Sequence, residues 1–159
     1  MIKKLNIKPN FSANLIEFID QVAYSYHKYT NKPLLENSTN LINELYDASF
    51  VFAAHKYYAD EPRFIFGNAQ ALELWELDWD SFTRMPSRLT AEPEEQSTRA
   101  SLLKEVQEQG YIANYSGVRI SSSGKRFKIN NAIVWNVINQ SGQTIGQAVK
   151  FSDYEFLDL

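Results

Sequence analysis

Apolar residues follow two rhythms along this chain, and the switch between them outlines its elements. Phe11, Leu15, Phe18, Ile19, Val22 and Tyr26 recur at intervals of three and four, the period of one helical face. Asn10 or Ser12 is placed to cap that helix. A polar stretch containing Pro33 follows, and Leu41, Ile42, Leu45 and Tyr46 mark a second, shorter helix starting near Ser38 or Thr39. Two helices therefore precede the first strand.

Residues 50–56 are apolar and aromatic, Asp60-Glu61-Pro62 supplies a turn, and residues 63–66 read as the returning strand of an antiparallel pair. Asn68 then caps a helix carrying Ala71, Leu72 and Trp75, and a short turn led by Asp78 holds Trp79 and Phe82. Thr90 caps the next helix, Pro93 suits its first turn, and Glu92, Glu94 and Glu95 lie where the helix dipole favours negative charge. Gly110 ends it. Its apolar Leu102, Leu103 and Val106 occupy one side only, so this helix should lie across a sheet.

The last third reads as three strands, residues 111–121, 126–138 and 144–151, joined by Gly-containing turns into a meander. Strict alternation puts Phe127, Ile129, Asn131, Ile133, Trp135 and Val137 on one face of the middle strand, with Arg126, Lys128, Asn130 and Asn136 on the other. Two strands, a helical middle and three strands predict an α+β, PAS-like fold. Its sheet has five antiparallel strands with helices on one face, and a helical extension precedes it. The expected division is an extension over residues 1–32, a domain over 33–152 and a short tail over 153–159.

Composition narrows the chemistry. A chain of 159 residues with 44% hydrophobic and 22% charged residues fits one globular domain. The net charge is -3 and the longest basic run is Lys3-Lys4, so the footprint of a nucleic-acid binder is missing. No apolar run approaches the roughly 20 residues of a membrane span, and the start lacks a signal-peptide block, which makes the cytoplasm the expected location. Cysteine is absent, which excludes disulfides, thiolate metal sites, cysteine nucleophiles and iron-sulfur ligation. The two histidines, His27 and His55, lack the spacing of a zinc motif.

Several segments resemble the MEKHLA domain in wording, order and spacing. Most specific are Pro86-Ser87-Arg88-Leu89-Thr90-Ala91-Glu92-Pro93 and Tyr115-Ser116-Gly117-Val118-Arg119-Ile120-Ser121. They are supported by Lys32-Pro33-Leu34-Leu35, the stretch from Phe64 through Gly67-Asn68 to Leu72, Ala132-Ile133-Val134-Trp135-Asn136 and Gly146-Gln147-Ala148. The resemblance runs from about residue 32 to 151. It implies a PAS-like module that senses or interacts and carries no established reaction. Among PAS cofactors, a cysteinyl-flavin adduct is impossible without cysteine, and histidine-ligated haem is disfavoured because residues 92–109 contain no histidine. A non-covalent flavin or another organic metabolite stays open.

Candidate ligand residues follow from polar groups on apolar faces. Asn131 falls among Phe127, Ile129, Ile133 and Trp135, and Gln147 among Ile145, Val149 and Phe151. Buried amides need hydrogen-bond partners, which a ligand or the protein itself can supply. Trp75, Trp79 and Trp135 could stack on a planar ligand or simply pack the core. Arg88, in a Pro-flanked loop, could grip a carboxylate or fix its loop, with Glu92 as its partner. Arg119 and Tyr115 share a strand face expected to meet solvent, a partner or the N-terminal helix, and His55 reads as structural. No G-x-S-x-G elbow, acid-base constellation or phosphate-cradling loop is present, so no enzyme activity is expected. The expected role is a sensor that binds a small organic molecule and shifts a homodimer or partner equilibrium. Phe11, Leu15, Phe18, Val22 and Tyr26 would form the dimer interface; the alternative is a ligand-free interaction module.

Overall fold

The computed structural model describes residues 8–157, so the outermost parts of the extension and tail, residues 1–7 and 158–159, lie outside the described residues. Helix α1 spans Ala13–Thr30, starting where the Ser12 hydroxyl accepts from the Leu15 N–H and ending at Asn31 in the left-handed conformation. Helix α2, Leu41–Tyr46, begins without a side-chain bond from its own cap residue. Instead the Glu44 carboxylate reaches back to the N–H groups of Thr39 and Asn40, the return half of a capping box.

Strands β1 (Val51–Lys56) and β2 (Arg63–Gly67) form the expected antiparallel pair. Short helices α3 (Ala69–Trp75) and α4 (Trp79–Phe82) follow, each started by the predicted cap, Asn68 and Asp78 respectively. Asn68 does more than cap. Its carbonyl oxygen accepts from Ala71 N–H and Phe52 N–H, while its amide donates to the Leu45 and Phe50 carbonyls. One fully buried amide thus ties α2, β1 and α3 together.

Helix α5 spans Pro93–Gln109, and its N-cap is Glu92 rather than Thr90. Thr90 instead closes a 3-10 turn over Ser87–Thr90, donating to the Ser87 carbonyl. At the other end Gly110 has φ +104°, and a Cβ there would stand 2.5 Å from the Tyr29 ring. Both the backbone and the close approach therefore demand glycine.

Strands β3 (Tyr111–Ile120), β4 (Arg126–Ile138) and β5 (Thr144–Phe151) complete the main sheet in the order β2-β1-β5-β4-β3. Beyond the bend at Ser152, residues read as tail form β6 (Asp153–Phe156), which pairs with the first half of β4. Helices α3 and α5 gather on one face, and α4 lies at the β2 edge with Phe82 on Phe64 and Trp79 on Phe66. The N-terminal extension covers the other, where Val22 and Tyr26 of α1 meet Trp135 and where Tyr46 of α2 meets Phe66. The sheet is thus buried on both sides over much of its length.

This second covering settles where the α1 stripe goes. Leu15, Phe18, Val22 and Tyr26 are buried, and Phe11 packs on Tyr46, Phe66 and Trp79. The residues expected to form a dimer interface are spent on the chain's own sheet, and no exposed stripe is left along them. Two polar links join α1 to β4. The Trp135 indole donates to the Val22 carbonyl at 3.1 Å, and the Ser25 hydroxyl accepts from the Ile138 N–H at 2.9 Å.

Candidate ligand-binding site

Two bulges decide which side chains face α5. In β4 the pairing shifts at Asn131, which has φ +54°, so the alternation slips by one residue there. Phe127 and Ile129 then share the α5 face with Ala132, Val134 and Asn136, while Trp135 is turned to α1. A matching shift in β3 around Asn114, at φ +61°, brings Tyr115 and Arg119 inward.

Between the sheet and α5 these residues enclose a cavity of about 50 Å³. Its walls are mainly apolar, with Ala53, Ile129, Val134 and Val149 from the strands and Leu103 from α5. Into it converge His55, Trp75, Arg99, Tyr115, Arg119 and Gln147. Outside it, a cleft of about 410 Å³ runs along α5 and is lined by Arg88, Lys104 and Gln107. His55, Arg99, Leu103 and Gln147 border both spaces and form the partition between them.

The polar groups at the cavity are unevenly satisfied. Gln147 donates to the Leu103 carbonyl at 2.9 Å and to Asn136, whose own amide donates to the Gln107 carbonyl, so α5 is pinned to the sheet by amides. By contrast, His55 Nε2 and Trp75 Nε1 are buried without a hydrogen-bond partner. Burial, reinforced by the nearby Arg99 charge, lowers the His55 pKa to about 3, so its ring is neutral at pH 7. Arg119 is only 6% exposed. Its guanidinium donates to the Val118 carbonyl and the Tyr115 hydroxyl and lies 5.7 Å from the Tyr115 ring centre. A Cβ on Gly117 would come within 2.9 Å of that guanidinium, so glycine there makes room for it.

The sequence-based candidates separate on this map. Gln147 and Trp75 border the cavity, and Gln147 sits beside Val149 and Phe151 as the alternation of β5 predicts. Asn131 does not reach it: the bulge turns its side chain to solvent, where it donates to Asp153 at 2.8 Å. Trp135 lies on the opposite face, and Trp79 packs on Phe66 and Phe11 at the edge of that face. Arg88 is exposed in the outer cleft, and its partner is Glu61 at 2.8 Å; Glu92 instead holds Arg126 through two bonds. Arg119 and Tyr115, expected on a face towards solvent, a partner or the N-terminal helix, are instead buried in the site. Arg99 escaped notice altogether, because an arginine on a polar helix gives no sign of pointing inward. The one available signal was Leu103, four residues on along the same helical face.

The strand order, the helical middle and the sheet-α5 cavity define a PAS fold, and solved structures agree. The light-state dimer structure of the fungal blue-light photoreceptor Vivid is 11% identical, with a TM-score of 0.60, covering 93% of this chain and 99% of that one. The PAS domain of a Colwellia psychrerythraea protein is 11% identical, with a TM-score of 0.61 over 70% and 92% of the two chains. An RNA-binding light-oxygen-voltage receptor is 14% identical, with a TM-score of 0.62 over 78% of this chain and 36% of that one. No curated protein matches the sequence. Residues 16–156 match the MEKHLA domain model, and the chain belongs to that family. The matched region takes in most of α1 as well as β6.

Proposed function

We propose that this chain is a sensory module that binds a small organic molecule between its sheet and α5 and passes occupancy to a protein partner or a second copy. The observation that carries the reading is that two residues with orphaned buried nitrogens, His55 and Trp75, line one apolar cavity. Buried polar atoms normally find partners, and each one left without costs about 1–3 kcal/mol. Two at a single cavity point to a bonding partner from outside the chain. The partition residues give the ligand a route from the outer cleft and make α5 the element that would feel its arrival.

A flavin, the group named for another light-oxygen-voltage domain of this fold, does not fit. Pockets for ligands of that size run to about 300–1,000 Å³, against about 50 Å³ here. That small volume also supports a second reading, in which the cavity is packing space and the domain only binds proteins.

Native mass spectrometry of the chain purified under non-denaturing conditions separates the two. A retained organic mass is expected, and Ala53→Val, which adds two methyl groups at the cavity wall, should displace it. A bare mass for the wild type, together with no change on Ala53→Val, would favour the interaction module.

A further inference from the structure

We infer that the cavity between the sheet and α5 takes an organic anion, a carboxylate on a short apolar body, with Arg99 and Arg119 as its counter-charges. This inference rests on the ligand-binding reading above and specifies its chemistry.

Two guanidinium groups border the same small space. None of the ion pairs among the described residues involves either of them. The partners of Arg119 among the described residues are neutral: a carbonyl, a phenol and the face of that phenol's ring. Its surroundings therefore solvate the cation without neutralising it, a costly arrangement in a water-poor interior. The two cations also oppose each other. Burial and the charge of Arg119 together lower the Arg99 pKa to about 10, which still leaves both groups charged at pH 7.

The rest of the lining supports the same ligand class. Trp75 Nε1 can only donate, as can both guanidinium groups, so the site offers donors to an acceptor-rich ligand. Arginine's planar fork matches the two oxygens of a carboxylate. Ile129, Val134 and Val149 in the same lining suit an apolar body. Size limits that body, since about 50 Å³ is small beside the roughly 300–1,000 Å³ of pockets for drug-sized ligands. Seating even a short carboxylate requires Arg99 and Leu103 to move into the outer cleft. Arg88 and Lys104 there add positive charge along the approach, partly offset by Glu61.

The test is isothermal titration of the full chain with sodium propionate, propionamide and sodium chloride, with the thermal midpoint followed alongside. It is run on the wild type, Arg99→Met and Arg119→Met. Propionate should bind the wild type saturably and raise its midpoint, with propionamide and chloride at least tenfold weaker. Each methionine variant should lose at least tenfold in propionate affinity. If Arg119→Met fails to fold, Arg99→Met, at a half-buried helix position, decides the matter alone. Equal binding of the amide, or propionate affinity unchanged in Arg99→Met, overturns the anionic assignment and leaves the ligand-binding reading standing. Chloride binding as tightly as propionate overturns the organic class. No saturable binding of propionate overturns the inference; only if the purified wild type also shows a bare mass does the ligand-binding reading fall with it.

Discussion

The two faces of the sheet are built from the same strands but finished differently. Against α1, Trp135 is fully buried and its indole N–H is bonded, and Ser25 bridges helix to strand. Against α5, buried nitrogens lack partners and two arginines share a small cavity, although the amides of Gln147 and Asn136 and the Glu92–Arg126 pair tie the helix to the sheet. The side covered by the N-terminal extension is not flawless, since the Ser38 and Tyr46 hydroxyls are also buried without partners. Neither residue, however, borders the cavity or the cleft. The two residues with unpartnered nitrogens on the α5 side, by contrast, line the same cavity. One face holds the fold, and the other carries groups that chain packing alone leaves incomplete.

The largest test of this contrast is Trp135→Ala, which should cost about 3–5 kcal/mol in urea unfolding, the usual range for a large aromatic removed from a core. The α1-stripe change Val22→Asp should likewise unfold the monomer rather than split a dimer, because Val22 is fully buried within the chain. An unchanged stability in either variant would break the assignment of this face as the core. Next comes Asn68→Ala, which removes a helix cap and strands two buried carbonyls and the Phe52 N–H, for a loss of about 2–4 kcal/mol.

Acid should expose the weaker face. The His55 pKa falls from its ordinary 6.5 to about 3 in the folded chain, so between those values the unfolded state binds a proton that the folded state refuses. Its contribution is fully present above pH 6.5 and is lost as the pH falls towards 3. The slope is about 1.4 kcal/mol per pH unit. Urea titrations at pH 7 and pH 5 should differ by about 2 kcal/mol on this account, and His55→Leu should flatten the difference. The smallest effect belongs to Asn131. Replacing it by glycine should leave stability within about 0.5 kcal/mol, and replacing it by alanine should cost about 1 kcal/mol through the left-handed backbone. Neither change should alter binding at the cavity.

How far the site was legible depended on strand parity. Gln147 lies on a strand whose alternation runs unbroken, and its inward position could be read directly. Asn131 was misplaced because a bulge inserts one residue, and an Asn-Asn pair in a strand does not announce which member leaves the ladder. The same slip, at Asn114, hid Arg119 and Tyr115. The motif containing Arg119 was visible as a family-like segment, but its direction was not.

What the sequence determined by itself was local: helical and strand periods, the caps at Ser12, Asn68 and Asp78, the turns and the order of elements. These depend on neighbours a few residues away, and that order was enough to reach the PAS outline, while the family was read from the segments that resemble it. Tertiary structure decided what an amphipathic helix is amphipathic towards. The α1 stripe could cover a partner or its own sheet, and Trp135, more than a hundred positions away, fixed the choice by bonding to Val22. Tertiary structure likewise brought Arg99 from a helix and Arg119 from a strand to one cavity, because a charge shows its burial only once the surfaces around it have closed.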